Sequence, residues 1–566
     1  MDTASPNGNR GSAEQPVDPR AAAQVVTIRA DVLARHGARI LDPSTAVRDE
    51  NGLRPQSTAY RADTLLVPAR LLPMLAPAPP GGSQQESDLN RALAPLGVQL
   101  TASGNQSGRE LPYVNKDRAV PVPLVARADS VGEAAPNPWA ALVAVRKFFR
   151  GQPARAQEIA LDHLLWAASV DTQGAPFTGG GSVSGDQGQA GGLTLFTGSR
   201  NPVWVAGGPP YRRPATALAS GRRPVVAVLD TGIGRHDWLS VGDRITDPDI
   251  VYNPDVPVLD MSADPIVEVS HEFQAELAQH ELEVAAGNGT TVDALRRPWE
   301  ERDIVQPLLG LTDSHAGHGT FVTGLINQTC PEARILMLRM LHSDGFSTEG
   351  SFLFALDWLR RRMVSALDRG ATDELIDVVS LSLGFYSESA TPSQVGKVAD
   401  AINELTKLGV IVIAAAGNDS TTRPFLPAAL GQNNPLLAAT GARNASGVTT
   451  AAFSNYGTWI TRWAPGNALV STVPVWQGAR GPGLATPDGG VGPRWRTAPD
   501  DDDLTTGFAV WAGTSFATPV VAGYVASALA NDGQVSKADV TERAARALKT
   551  ADVGLVNKGW QEPSAG

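Results

Sequence analysis

The chain has 566 residues, of which 42% are hydrophobic and 19% charged, so it can form a large core and global disorder is excluded. A formal charge of −11 argues against a nucleic-acid-binding surface, and no run of about 18 apolar residues is available to cross a membrane. The single cysteine, Cys330, excludes an internal disulfide and a cysteine-built zinc site.

In chain order, residues 1–58 read as a polar arm in which 21–38 could form a helix. The first residues carry no basic start followed by an apolar run, so no signal peptide is visible. With the lone cysteine, this gives the expectation of a cytoplasmic protein, with secretion by another route left open. Residues 59–168 are expected to form an α+β domain. Strands are predicted at 62–68, 98–101, 119–127 and 158–167, and helices at 87–96 and 137–150. The order is β-α-β-β-α-β, a ferredoxin-like arrangement, with the prolines of 119–127 suiting a sheet edge. Residues 169–223, which include GGGSVSGDQGQAGG, read as a Gly/Pro-rich linker.

From 224 to 552 the texture changes. VVAVLD (225–230), ARILMLRM (333–340), DVVSLSL (377–383) and GVIVIAAAG (409–417) are near-continuous apolar runs, as expected of strands buried on both faces. Helical patterns at 351–367 and 393–409 alternate with them, which predicts a doubly wound, mostly parallel α/β domain with its site beyond the carboxyl ends of the strands. Two insertions interrupt it, 239–312 (with a polar helix at 271–285) and 475–506. Residues 553–566 read as a tail.

Three segments put polar residues where this fold builds a site. Asp230 ends an apolar strand, His318 lies between two glycines at a helix start, and Ser515 follows a Gly-Thr turn at another helix start. A carboxylate at a buried strand end needs a partner. A serine at a helix N-terminus has the positive end of the dipole beside it. Each feature alone is an ordinary cap or turn. Together, in the order Asp, His, Ser, they match one of the known triad orders, the one seen in subtilisin.

The resemblance then becomes specific. Asp230-Thr231-Gly232-Ile233, His318-Gly319-Thr320-Phe321-Val322-Thr323-Gly324 and the block from Gly513 to Gly523 match the Asp, His and Ser motifs of the subtilisin-like serine peptidases, or subtilases. Ala415-Ala416-Gly417-Asn418 and Ser382-Leu383-Gly384 match two further blocks, all in the family's order. The resemblance covers about 224–552. It implies a serine endopeptidase in which Ser515 is the nucleophile, His318 the general base, Asp230 its orienting partner and Asn418 an oxyanion donor. It implies that Ser382, Leu383 and Gly384 bind an extended substrate strand, and that Ala415, Ala416 and Gly417 wall the primary pocket. Gly345 and Phe346, in Asp344-Gly345-Phe346-Ser347, are placed on the opposite rim. Arg423 and Phe425 are placed near the primary pocket.

The expected partner is a peptide or protein substrate, with no nucleic acid and no membrane. No cofactor is required. The segment 326–334 is too short for the family's calcium loop and Asp500–Asp503 reads as a solvated loop, which leaves a structural calcium without support. The H-x-x-H of His315 and His318 beside Asp313, and the Glu276/His280 pair, do not match H-E-x-x-H, so no catalytic metal is expected. The insertion 239–312 is expected to be a rim or regulatory element. Residues 59–168 resemble a propeptide-type domain on the catalytic domain, and self-processing would place a cut in the linker near Arg212–Arg223. The alternatives are a dedicated processing protease for one partner, and a catalytically silent peptide binder.

Overall fold

The computed structural model describes residues 25–76, 86–102, 116–128, 135–169, 200–219, 221–242, 264–288, 293–301, 304–306, 311–389, 396–478, 485–487, 495–497, 503–533 and 540–559. The N-terminal part contains strands β1 (Thr58–Pro68), β2 (Val98–Leu100), β3 (Ala119–Ala126) and β4 (Ala160–Ala167), with helices α1 (Asp88–Leu93) and α2 (Pro138–Phe148). The strands run in the order β4-β1-β3-β2, all antiparallel, which is the ferredoxin-like order. Ser87 and Asn137 cap the two helices through their side chains. Leu65, Val67, Val122, Trp139, Leu142 and Leu161 fill the core between helices and sheet.

β3 is an inner strand, not the expected edge. Its prolines are tolerated for a local reason. β2 ends at Leu100, opposite Leu124, and beyond it the Thr101 amide donates to the Pro123 carbonyl, so β2 asks no N–H of Pro121 or Pro123. Within 21–38, the described helix is confined to Ala30–Arg35, and residues 21–24 lie outside the described residues.

The second part is built on β5 (Val225–Asp230), β6 (Val267–Val269), β7 (Arg334–Arg339), β9 (Val378–Leu381), β11 (Ile411–Ala415), β12 (Leu437–Arg443) and β13 (Arg462–Pro465). The order β13-β12-β11-β9-β5-β7-β6 is parallel throughout, and Val241–Gly242 extends the far edge. Alternate residues of β5 feed two cores. Val225, Ala227 and Leu229 join one with helices α3 (His271–Asn288), α5 (Glu349–Arg369) and α6 (Gly396–Lys407). Val226 and Val228 join the other with α4 (His318–Thr329), α7 (Thr514–Ala530) and α8 (Val540–Asn557). Helices on both faces explain why these strands read as unbroken apolar runs.

The described part of the insertion at 239–312 is built into the body of the domain, not onto a rim. It supplies β6, which pairs in parallel with β7, and α3, whose Phe273 ring meets Trp358 of α5 edge-on at 5.4 Å. The polar sequence of α3 hid this role, because its buried stripe is narrow.

The end of the presumed linker is anchored. Arg200 is buried and donates to the Ala316 carbonyl and to Thr312 Oγ1. Arg222 and Arg223 are also buried. Arg222 Nη2 donates to both Asp377 carboxylate oxygens at 2.6 and 2.7 Å, and Arg543 of α8 reaches the same carboxylate at 2.7 Å. Composition registers glycine and proline but not these ion pairs. Asp377→Ala leaves two buried guanidinium groups without their shared anion. It is expected to destabilise the fold by about 3–5 kcal/mol, read as a lower urea midpoint at unchanged slope.

Candidate active site

Asp230 is the last residue of β5 and is fully buried. Its Oδ1 accepts from the Thr231 amide at 2.8 Å and lies 2.7 Å from His318 Nδ1. His318 opens α4, so its backbone is fixed by the helix start and its ring by the carboxylate. No side chain of the adjoining loop caps this helix. Two groups from elsewhere do so. Thr231 Oγ1 accepts from the Gly319 amide at 2.9 Å, and Glu300 Oε1 accepts from the Thr320 amide at 3.1 Å and from Thr231 Oγ1 at 2.7 Å.

Glu300 was not foreseen. It lies in the irregular part of the insertion, beside Trp299, which is buried and bridged to Ile233. Burial first, and the Asp230 charge second, push its carboxyl up to about 8, against the pull of its hydrogen bonds. It is therefore largely protonated at pH 7, and its share of the stability fades as the pH rises from about 4.5 through 8. Glu300→Gln at pH 7 is expected to cost little, whereas Glu300→Ala removes a buried acceptor and costs about 1–3 kcal/mol in urea unfolding.

Ser515 is the second residue of α7 and is fully buried. Its Oγ donates to the Ser382 carbonyl at 2.9 Å. His318 Nε2 is buried without a hydrogen-bond partner, so His318 and Ser515 are not joined by a bond in this arrangement. Helices α4 and α7 cross closely. A Cβ on Gly523 would lie 1.8 Å from Thr329 Oγ1, which is why the motif needs glycine there. The Asn418 amide is oriented by Thr514, whose backbone N–H and Oγ1 both donate to Asn418 Oδ1 at 2.9 Å. This leaves Asn418 Nδ2 buried with no partner.

The cleft is occupied by the chain itself. β4 pairs antiparallel with β8 (Phe346–Thr348) on one side and β10 (Leu383–Gly384) on the other. The Ala167 amide donates to the Gly345 carbonyl at 2.9 Å, and the Ala168 amide to the Ser382 carbonyl at 2.9 Å. The Ser515 amide donates to the Ala168 carbonyl at 2.9 Å. A Cβ on Gly513 would sit 2.6 Å from that same carbonyl oxygen, so glycine makes room for the passing strand. Gly345, Phe346, Ser382, Leu383 and Gly384 thus all lie against one extended segment.

Ala415, Ala416 and Gly417 are buried on the other wall, and the Gly417 amide donates to Thr514 Oγ1 at 3.0 Å. Asn455, not singled out from sequence, braces this wall by donating to the Ala416 carbonyl at 2.7 Å and to Tyr386 Oη at 2.8 Å. Arg423 holds the N-terminal part, donating to the Ser57 and Ser387 carbonyls at 2.6 and 2.8 Å.

Among the described residues no group of three or more His, Cys, Asp and Glu side chains is arranged for a metal. Asp500–Asp502 lie outside the described residues, and Asp503 accepts from Thr505 in a local turn.

The subtilase family model matches residues 221–560. The chain belongs to the subtilase family. Relatives include an extracellular protease of Xanthomonas campestris pv. campestris, 28% identical over 317 residues, which are 56% of this chain and 45% of that protein. Subtilisin BL of Lederbergia lenta is 31% identical over 31% of this chain and 61% of its own length. Thermitase of Thermoactinomyces vulgaris is 30% identical over 38% of this chain and 62% of its own. The chain spans about half to three fifths of the length of these relatives. The cytoplasmic expectation is corrected here. It rested on a missing leader pattern and a lone cysteine, and it conflicts with a subtilase relative named as extracellular. No helix among the described residues is long and apolar enough to cross a membrane.

Proposed function

We propose that this subtilase is a serine endopeptidase that first cuts its own chain between Ala168 and Ser169. The observation that carries this reading is the Ala168 carbonyl, held by the Ser515 amide within a strand that β8 and β10 grip from both sides. For reaction, the Ser515 hydroxyl leaves the Ser382 carbonyl and turns toward His318 Nε2. The Ser515 oxygen bonds to the carbonyl carbon while its proton passes to His318, and Asp230 stabilises the imidazolium. Negative charge moves onto the carbonyl oxygen, which the Ser515 amide and Asn418 Nδ2 stabilise. The C–N bond then breaks, and His318 returns the proton to the Ser169 amine. Water, deprotonated by His318, releases the acyl group and restores Ser515.

The N-terminal domain then acts as an occupant of the cleft. The cut assigned here replaces the one anticipated near Arg212–Arg223, where Arg222 and Arg223 are buried in ion pairs. Because the cleft is filled by the chain's own strand, the alternative of a protease dedicated to one partner rests on how readily that strand leaves.

Intact mass and fluorophosphonate labelling of wild type and Ser515→Ala test the reading. Wild type should be labelled and shortened after Ala168, and the variant neither. Absence of labelling in wild type would favour the silent peptide binder. Labelling of a chain that stays full length would remove the self-cutting step.

A further inference from the structure

The bonds that seat Ala168 also define where its side chain goes. With its amide on Ser382 and its carbonyl on Ser515, Ala168 shares one face of the extended strand with Trp166, two residues upstream, and Trp166 lies against Phe425. The ring of Phe425 lies close to both Gly384 and Gly417. A Cβ on Gly384 would lie 2.3 Å from the Phe425 ring, and a Cβ on Gly417 would lie 3.1 Å from it, so the ring wedges between the two walls. Phe425 is fully buried and shares one cluster with Ala168, Leu383, Ala415 and Ala416.

The ring is held in place. Its neighbour Leu426 exchanges two backbone hydrogen bonds with Phe385. Tyr386 stands against it at 5.0 Å, and its hydroxyl is tied to Asp419 and Asn455. A larger residue in place of Ala168 would have to displace a ring that cannot swing away.

The same ring helps to build a second recess two residues upstream. Trp166 lies 5.7 Å from Phe425, 6.0 Å from Tyr386 and 6.4 Å from Phe346, and is only 4% exposed. Resting on the reading of the cleft above, we propose that Phe425 sets the substrate class: extended peptides cut after alanine, glycine or serine, with an aromatic side chain at the third residue before the cut. Aromatic contact on the recess side and overpacking on the other act together, and exclusion of a bulky group from a filled pocket is the stronger of the two.

The test uses the full chain and quenched peptides that carry the Leu164–Ala168 sequence followed by Ser169, with Ala, Leu or Phe in the last place before the cut. Wild type is expected to prefer Ala over Phe by about 100-fold or more in kcat/KM, and Phe425→Gly to bring the two within about tenfold. In the chain itself, Ala168→Phe should stop processing after residue 168, and the pair Ala168→Phe with Phe425→Gly should restore it. Ala168→Leu gives an intermediate that guards against misfolding.

Cutting after Phe by wild type within tenfold of Ala, or an unchanged preference in Phe425→Gly, would overturn the assignment of Phe425. An Ala preference that survives Trp166→Ala in the peptide with no loss of rate would overturn the upstream aromatic. A wild type that neither takes up fluorophosphonate nor cuts any peptide would instead overturn the peptidase reading, and this inference with it.

Discussion

Asn418→Ala is expected to lower kcat by about 10²–10³ while leaving KM near its wild-type value; the corresponding loss in subtilisin is a measured example of this effect. The reason lies in how the amide is held. Thr514 supplies two donors to Oδ1, so the amide cannot flip, and Nδ2 is left buried with nothing to bond. A ground-state carbonyl gains little from such a donor, whereas the oxyanion gains most, so the loss falls on kcat. Asn418→Asp makes a sharper control. It keeps the shape but presents an acceptor, and is expected to be at least as damaging. Steady-state kinetics on a peptide cut by the processed protein would check both. A rise in KM at constant kcat would place Asn418 in substrate binding instead.

His163→Ala is expected to loosen the N-terminal domain from the cleft by about 3–5 kcal/mol. His163 projects from β4 between two carboxylates of the other domain, with Nδ1 2.5 Å from Glu349 Oε2 and Nε2 2.8 Å from Glu388 Oε2. Its ring stacks on Phe385 at 4.7 Å. Burial alone would depress the imidazole, but the two glutamates outweigh it and raise it from 6.5 to about 10. Burial likewise opposes ionisation of Glu388, yet His163 and then Arg146 pull it down to about 2. Asp162, the neighbouring residue, is raised to about 7 by burial despite Arg61.

The signs follow from linkage. The His163 contribution is complete below pH 6.5 and is lost as the pH climbs to about 10. Asp162 acts in the same direction between 3.8 and 7, and Glu388 in the opposite one only below 4.5. The joint contribution of these three groups is therefore largest near pH 4.5 and falls toward pH 10. Hydrogen exchange of β4 in Ser515→Ala, measured across that range with and without His163→Ala, would show it. Equal protection at pH 5 and pH 9 would remove the role given to His163.

The candidate site residues were legible because their surroundings are locally encoded. Gly319, Gly513 and Gly523 are demanded by close backbone and helix contacts, and such demands leave short, fixed patterns. The parallel sheet was legible from two-faced burial of VVAVLD and its companions. Glu300 was not, since its partners Thr231 and Thr320 come from distant segments and nothing in its own neighbourhood is periodic. Nor was Ala168. Residues 165–169 read as a strand end running into a glycine-rich stretch, and only the distant Gly345, Ser382 and Ser515 give that end its meaning. Arg222 and Arg223 looked like a processing signal because charge is visible in a sequence, while a waiting Asp377 is not.

The slot between β8 and β10 is one strand wide, and β4 fills it with every backbone group from Leu164 to Ala168 drawn out straight. A segment folded into a helix or paired in a sheet cannot enter that slot as it stands. It must first pull free of its own structure for several residues. The rate at which a folded protein is cut should then follow the free energy of its local opening at the sites that also meet the side-chain rule. Two proteins with the same Trp-Ala-Ala motif would be told apart by how often each lets go of it.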